Sequence, residues 1–456
     1  MKNDSQVRTW RDWLAVLGAY VILPNLPFLV AARFIYLQRA EINLDYIALG
    51  LLSPLFPKAL NLALFTVAFL LDMLFSTSGI YHFPVADALR ALRSVRHVSP
   101  AISIPIFLLA ILAVYMMARL ATQWRRIGTN PTGREITVVL IFLIAADLLN
   151  DRLGNEHFEI ARSSVATTAM AVARDFRPLH LGPEKFWQIE SATKGLDRDI
   201  EEARLGGENV LLVVVESLGE TRDPAEAARM EASLRSEQVQ HRYTVSSGTV
   251  GFEGSTVFGE LRELCGLRGV GMRVTELQRS QTGPCLPSKL AAKGYATVSV
   301  HGVTSAMFQR DIWYPTLGFQ RMIFPETWPR PNPGYCSTQF HAICDLDAAE
   351  VVHDELLAAT PPKFVYWLTV ESHLQLDDAA MKAPSRDCAG MPPDVCWMVT
   401  TQRNALAAIA QIALDPRLKP TRFVIVGDHS PPYMLRTRRD LFAQKRVPWL
   451  ELRPKP

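Results

Sequence analysis

Long apolar stretches are confined to the first 150 residues of this 456-residue chain and divide it into two unlike parts. Four have the composition of membrane-spanning helices, at residues 13–32, 60–76, 101–121 and the shorter 136–149. A fifth, residues 46–56, is brief and broken by Pro54, so it is compatible with a span, a re-entrant piece or half of a helical hairpin. We therefore predict a transmembrane domain over residues 1–150, a connector over 151–206 and a separate folded domain over 207–456.

Basic residues orient the predicted membrane domain. The positive-inside rule places two groups in the cytoplasm, one at the N-terminus and one in the short loop before the last stretch: Lys2, Arg8, Arg11, Arg119, Arg125, Arg126 and Arg134. Both groups lie in the cytoplasm only if an even number of spans precedes the loop. We therefore predict four spans before the loop and one after it, five in all. The chain after residue 150 would then lie outside the cytoplasm. Arg90, Arg93 and Arg96 would then fall in an outside loop, where an interfacial helix could hold them.

The second part contains all six cysteines and little net charge. It has 35 Lys and Arg against 37 Asp and Glu, whereas residues 1–150 have 13 against 8. A nucleic-acid-binding domain would carry a basic stripe, so no nucleic-acid partner is predicted. The cysteine spacing suits disulfides in an oxidising compartment, with free thiols in the cytosol as the alternative. The plausible pairs are Cys265/Cys285, Cys336/Cys344 and Cys388/Cys396.

Beyond residue 207, apolar runs of strand length alternate with helical segments. The predicted strands cover residues 209–215, 296–301, 363–370 and 421–427. This alternation predicts an α/β domain with a largely parallel central sheet covered by helices on both faces. Reactive residues are expected at the carboxyl ends of its strands.

Two predicted strands end in potential metal ligands. Glu216 follows the first strand, and Asp428 and His429 follow the last. Two carboxylates and an imidazole suit zinc or manganese. Taken singly, Glu216 could start a helix and Asp428 could be a turn residue, but their joint placement favours a metal site.

Thr256 is a candidate nucleophile. The segment GSTVFGELRELCG, residues 254–266, predicts a helix that begins near Thr256, where unpaired backbone N–H groups favour an anion. A bound metal would lower the pKa of the threonine hydroxyl. An ordinary helix cap is the alternative for Thr256 or Ser255, and Thr249 and Ser255 are rival nucleophiles.

Five segments in this order resemble the membrane-anchored phosphoethanolamine and phosphoglycerol transferases of the alkaline phosphatase/sulfatase superfamily. That group includes lipoteichoic acid synthase, the periplasmic glucan phosphoglycerol transferase and the lipid A phosphoethanolamine transferases. The resemblance covers about residues 205 to 450. The segments are NVLLVVVES, GSTVFGELRELCG, VHGVTSAMFQRDIWYPTLGF, VESHL and VIVGDHSPP.

The resemblance implies a role for each matching residue. It implies one divalent ion, zinc or else manganese, held by Glu216, Asp428, His429 and Thr256, with Thr256 as the nucleophile. His373 would contact the transferring phosphate or the leaving oxygen. His301 and Arg310 would bind the head group and its phosphate, for which the arginine fork is suited. For His301 and His373, ordinary hydrogen-bonded histidines at strand ends are the alternative.

Two features depart from the family pattern. Ser430 follows His429 where phosphoethanolamine transferases typically have glutamate, and no histidine follows His429, which argues against a close lipid A enzyme and a second metal site. The segment CLPSK at Cys285 resembles the sulfatase motif whose cysteine becomes formylglycine. Lysine replaces the expected arginine, however, and the segment lies past the nucleophile, so Cys285 is interpreted as a disulfide partner.

The expected activity is transfer of phosphoglycerol or phosphoethanolamine from a membrane phospholipid to an envelope glycan or lipid-linked sugar. The expected location is the bacterial inner membrane, with several spans and an extracytoplasmic catalytic domain. A phosphodiesterase or sulfatase of the same fold is one alternative. A transporter or non-catalytic membrane partner is another, because Asp72 and Asp147 lie inside apolar segments.

Overall fold

The computed structural model describes residues 22–37, 40–52, 56–78, 111, 161–176, 186–269, 274–277, 285–336, 341–358, 360–373, 388 and 390–455. The chain divides into two compact units, whose described parts lie within residues 22–176 and 186–455.

The first unit is helical. Its helices are α1 (Leu23–Phe34), α2 (Leu44–Leu52), α3 (Lys58–Ser78) and α4 (Ser164–Phe176), and its short strands β1 (Ile42–Asn43) and β2 (Ala161–Arg162) pair in parallel. Among the described residues, one helical stretch, Ala59–Ser76 in α3, is long and apolar enough to cross a membrane. The predicted stretches 101–121 and 136–149 lie outside the described residues apart from Ile111, so the five-span topology stays a prediction.

Asp72 is buried in the first unit. Its carboxylate accepts hydrogen bonds from the Tyr46 hydroxyl and the Ser164 hydroxyl, both at 2.9 Å. These bonds join α2, α3 and α4. A packing role therefore accounts for this carboxylate, and Asp147 lies outside the described residues.

The strands of the second unit are β3 (Phe186–Gln188), β4 (Asn209–Val215), β5 (Tyr243–Gly251), β6 (Leu267–Gly269), β7 (Ala296–His301), β8 (Arg321–Ile323), β9 (Tyr335–Cys336), β10 (Ala342–Ile343), β11 (Lys363–Leu368), β12 (Thr421–Gly427) and β13 (Arg446–Pro454). Seven of them form a mixed sheet in the order β5-β13-β12-β4-β11-β7-β8. From β12 to β8 neighbouring strands are parallel, whereas β13 runs antiparallel to both β12 and β5.

Helices cover both faces of this sheet, as predicted. They are α5 (Lys194–Glu201), α6 (Pro224–Glu231), α7 (Glu237–Arg242), α8 (Thr256–Cys265), α9 (Leu286–Ala292), α10 (Arg310–Leu317), α11 (Asp345–Leu357), α12 (Pro393–Leu414) and α13 (Arg436–Arg439). Alternate residues of β4 enter opposite apolar cores, Leu211 with side chains of α11 and α12, and Leu212 with side chains of α8, α9 and α10.

All three predicted disulfides are present. Cys265 is bonded to Cys285, Cys336 to Cys344 and Cys388 to Cys396. The first joins the end of α8 to the residue before α9, and the second joins β9 to the residue that precedes α11.

Candidate active site

The register of two neighbouring strands brings the predicted metal ligands together. In the parallel pair β4 and β12, Val215 lies opposite Gly427, so Glu216 and Asp428 leave the sheet side by side. One ligand atom from each of Glu216, Asp428 and His429 lies within 4.8 Å of the others. All three residues are buried.

The electrostatics of this cluster fit a divalent cation. Burial and the neighbouring Asp428 carboxylate raise the pKa of Glu216 well above its usual range. Asp428 Oδ2 is buried and has no hydrogen-bond partner among the described residues. His429 Nδ1 lies 2.9 Å from the Ser430 carbonyl oxygen. Since a carbonyl only accepts, Nδ1 carries a proton, and Nε2, which lies 3.2 Å from Asp428 Oδ2, is the nitrogen that would bind a metal.

Thr256 borders the same cluster at the first position of α8. Its hydroxyl donates to Glu216 Oε2 at 3.3 Å and lies 3.5 Å from His429 Nε2. The rival Thr249 lies on β5, where its hydroxyl accepts a hydrogen bond from Arg446. Ser255 is the N-cap residue of α8. Of these three hydroxyls, the Thr256 hydroxyl is therefore the one with described contacts to both Glu216 and His429.

A glycine and a buried arginine hold α8 against the end of β12. A Cβ on Gly259 would lie 2.9 Å from both Cα and Cβ of Asp428, so the helix can approach this closely only with glycine there. Arg262 donates to the carbonyl oxygens of Gly427 at 2.6 Å and Asp428 at 3.3 Å. These contacts fix Thr256 relative to Asp428 and His429.

Side chains from three other segments satisfy the backbone around Glu216 and Ser217. The Thr369 hydroxyl accepts from Glu216 N at 2.9 Å, and the Ser372 hydroxyl donates to Glu216 O at 2.6 Å. Asp428 Oδ1 accepts from Ser217 N at 2.8 Å, and the Gln402 amide donates to Ser217 O at 2.7 Å. Ser217 has a φ of 54°, so this fourfold support holds a conformation that non-glycine residues rarely adopt.

Sequence reasoning missed the supporting residues. Thr369 and Ser372 lie at the end of a predicted strand and close in sequence to the candidate residue His373. This position could have predicted that they contact the site. Gln402 lies inside the 22-residue helix α12, where nothing in the sequence distinguishes it from a surface residue.

His301 and Arg310 lie close to each other in the structure. His301 ends β7 and donates from Nδ1 to the Leu368 carbonyl oxygen at 2.9 Å. Burial and the nearby Arg310 guanidinium lower the pKa of His301 well below its usual value, so the imidazole is neutral at pH 7. Arg310 is itself buried and donates from Nε to Glu260 Oε1 at 3.1 Å.

His373 lies in the turn after β11. Its backbone N–H donates to the Val370 carbonyl oxygen at 3.0 Å. Its neighbour Ser372 contacts the Glu216 backbone, so the turn belongs to the same edge of the sheet as the metal cluster. The role of the His373 side chain stays a prediction.

The fold and the cluster together define an alkaline phosphatase/sulfatase-like α/β domain with a candidate metal site at its strand ends. Residues 208–390 match the sequence model of the family described as Sulfatase. The matched segment spans less than half of the chain. No curated protein matches the sequence.

Several solved structures resemble the chain. The lipoteichoic acid synthase LtaP from Listeria monocytogenes is 13% identical, with 56% of this chain and 70% of that chain covered and a TM-score of 0.37. The Streptococcus pyogenes phosphoglycerol transferase GacH, in complex with sn-glycerol-1-phosphate, is 15% identical, with 58% and 78% covered and a TM-score of 0.38. The C-terminal periplasmic domain of EptC from Escherichia coli, in complex with Zn, is 12% identical, with 55% and 73% covered and a TM-score of 0.34.

Proposed function

We propose that the protein is a metal-dependent transferase that moves a phospho-alcohol head group, phosphoglycerol or phosphoethanolamine, from a phospholipid to a hydroxyl of an envelope glycan or lipid-linked sugar. The observation that carries the proposal is the Thr256 hydroxyl at the start of α8, in contact with Glu216 and His429. The match to the sulfatase family and the ordered sequence segments support it.

Four residues would hold the ion: Glu216, Asp428, His429 and Thr256. Zinc is the proposed metal and manganese the alternative, because the set combines oxygen ligands with one imidazole nitrogen. When bound, the ion would lower the pKa of the Thr256 hydroxyl and offset negative charge on the phosphoryl oxygens.

The proposed transfer has two steps. Thr256 Oγ1, which has already lost its proton to solvent, attacks the phosphorus of the donor as the alkoxide, the bond from phosphorus to the diacylglycerol oxygen breaks, and His373 gives that oxygen a proton. The acceptor hydroxyl then loses its proton to His373 and attacks phospho-Thr256, and Thr256 leaves as the alkoxide. The first N–H groups of α8, which have no acceptor within the helix, would stabilise the phosphoryl oxygens.

His301 and Arg310 would orient the head group. The neutral His301 imidazole has Nε2 available as an acceptor, because its Nδ1 proton is engaged by Leu368. Arg310 would supply guanidinium donors to a phosphate oxygen.

The proposed location is the bacterial inner membrane, with the catalytic unit outside the cytoplasm. The three disulfides fit an oxidising compartment. The apolar helix α3 would keep the enzyme near its lipid donor.

The sharpest test is intact-mass analysis of the full-length protein purified from its own membrane. We expect an adduct of the mass of phosphoglycerol or phosphoethanolamine on Thr256. In Thr256→Ala, we expect the adduct to disappear and transfer to fall by about 10³-fold or more, because the nucleophile is lost, with an unchanged melting temperature. A Thr249→Ala variant is the matched control and should keep the adduct. An adduct and full activity in Thr256→Ala would refute the proposal.

The second candidate is a hydrolase of the same fold, favoured by the match to the sulfatase family. The site would then transfer the phosphoryl group to water. Labelled phosphatidylglycerol and phosphatidylethanolamine, each incubated with and without a glycan acceptor, distinguish the two activities. Product formation that does not respond to the acceptor indicates hydrolysis.

A further inference from the structure

Glu260 forms a buried polar cluster with Arg310 and two tyrosines. Glu260 Oε1 accepts hydrogen bonds from the Tyr314 hydroxyl at 2.6 Å, Arg310 Nε at 3.1 Å and the Tyr366 hydroxyl at 3.3 Å. Both Glu260 and Arg310 are at most 1% exposed. Three donors on one oxygen of a fully buried carboxylate leave it little freedom to move.

Glu260 lies on the same helix as the candidate nucleophile. Glu260 follows Thr256 by one turn of α8, and residues four apart share a helix face. Because Cα–Cβ bonds tilt toward the helix N-terminus, the Glu260 side chain lies over the turn that Thr256 begins. Helix α8 therefore carries both the Thr256 hydroxyl and the Glu260 carboxylate, which holds Arg310.

Arg310 still has hydrogen-bonding capacity in this arrangement. Nε is used by Glu260, and Nη1 reaches the Met307 carbonyl oxygen at 3.5 Å. In the described part of the chain, Nη2 has no hydrogen-bond acceptor. The guanidinium also lies near His301, whose pKa it lowers.

The backbone leading into Arg310 is strained. Phe308 and Gln309 have φ values of 55° and 56°, a region that costs about 1 kcal/mol or more for each non-glycine residue. Such a conformation persists when side-chain contacts fix it. The bond from Arg310 to Glu260 and the stacking of its guanidinium 5.3 Å from the Phe308 ring centroid are contacts of this kind.

We infer that Glu260 is a positioning residue: it holds the Arg310 guanidinium beside Thr256 so that a free amino group meets the anionic oxygen of the phosphoryl group being transferred. This inference rests on the proposed function. In this arrangement the distance between Thr256 and the Arg310 guanidinium is fixed, because α8 carries both Thr256 and Glu260, which holds Arg310.

The test uses chemical rescue in the detergent-purified full-length enzyme. We expect Arg310→Ala to lower kcat/KM for the phospholipid donor by about 100-fold. Guanidinium chloride at about 50 mM should then raise kcat/KM of this variant to at least about a tenth of the wild-type value. The free cation would occupy the vacated space against the Glu260 carboxylate. In the double variant Glu260→Gln/Arg310→Ala, we expect no rescue. Equal rescue in both variants would overturn the inference.

Single variants supply the second measurement. Glu260→Gln should lower kcat/KM by about 10- to 100-fold, because Arg310 loses its charged partner. Tyr366→Phe removes one donor to the same oxygen and should fold even if Glu260→Gln does not. We expect it to lower kcat/KM several-fold, and unchanged kinetics in both variants would refute the inference.

The matched control is Glu226→Gln. Glu226 is also a buried helical glutamate paired with an arginine, Arg229, but it lies on α6. We expect its variant to keep wild-type kinetics and to show no response to guanidinium. If the wild-type enzyme neither transfers nor hydrolyses the phospholipid, the proposed function fails, whereas an active wild type with no Glu260-dependent rescue contradicts the positioning role alone.

Discussion

At the scale of single residues, Asp345 ties the loop that carries His373 to the start of α11. Its two carboxylate oxygens accept hydrogen bonds from the backbone N–H groups of Val370 at 2.9 Å and Glu371 at 2.8 Å. Asp345 is buried, and this burial, together with the Glu371 charge, raises its pKa from 3.8 to about 7. Because this pKa is raised, Asp345 is largely protonated below pH 7, so Asp345 and Glu371 do not both carry a full negative charge there.

This raised pKa predicts a pH-dependent stability. The folded protein holds the Asp345 proton more tightly than the unfolded chain, so the stabilisation is full below about pH 4 and is lost as the pH rises to about 7. We expect the melting temperature of the wild type to fall over this range by at least about 3 °C more than that of Asp345→Asn. Parallel pH profiles of the two variants would contradict the prediction.

At the scale of secondary-structure elements, the contact between α8 and β12 sets the site. Gly259 permits this contact, since any side chain there would meet the backbone of Asp428. Alanine is a better helix former than glycine by about 1 kcal/mol, so propensity alone would favour Gly259→Ala. The clash with immobile backbone costs about 1 to 3 kcal/mol and should outweigh it.

We therefore expect Gly259→Ala to lower the free energy of unfolding by up to about 2 kcal/mol and to weaken metal binding, because α8 moves away from Asp428. Denaturant titration and metal analysis of the purified protein measure the two effects. Gly195→Ala on α5 is the control, since its Cβ would meet only side-chain ends, those of Arg453 at 3.4 Å and Arg422 at 4.0 Å. A Gly259→Ala protein as stable as the control would show that α8 can shift without cost.

The sequence predicted the elements whose signals are local. Four central strands, β4, β7, β11 and β12, are short runs rich in apolar and β-branched residues, and the ends of β4 and β12 identified Glu216 and Asp428. β13 escaped prediction because Pro448 and alternating charges resemble a loop, and its antiparallel place between β5 and β12 depends on contacts distant in sequence. Glu260 and Gln402 escaped for the same reason, since only tertiary contact shows what their side chains hold.

At the scale of the whole molecule, the disulfides brace the elements around the site. Cys265–Cys285 closes the longest of the three loops, with a sequence separation of 20 against 8 for each of the others. In the chain-entropy account, a longer loop gives the larger stabilisation. This bridge also joins the end of α8 to the start of α9.

We expect the paired variant Cys265→Ser/Cys285→Ser to lose about 3 kcal/mol of stability, about 1 kcal/mol more than Cys388→Ser/Cys396→Ser. Thermal unfolding of the two purified variants, each compared with wild type, measures the difference. The prediction is wrong if removal of the Cys388–Cys396 bridge is the more costly change.

The pairing of β4 with β12 also determines when the candidate metal site can form. Ser217 and Asp428 are 211 positions apart, yet one hydrogen bond joins them. A chain still being synthesised therefore has its first carboxylate and Thr256 long before it has Asp428 and His429. The candidate metal site can form only after residues 428 and 429 have been synthesised, so the complete set of ligands is among the last features of the fold to appear.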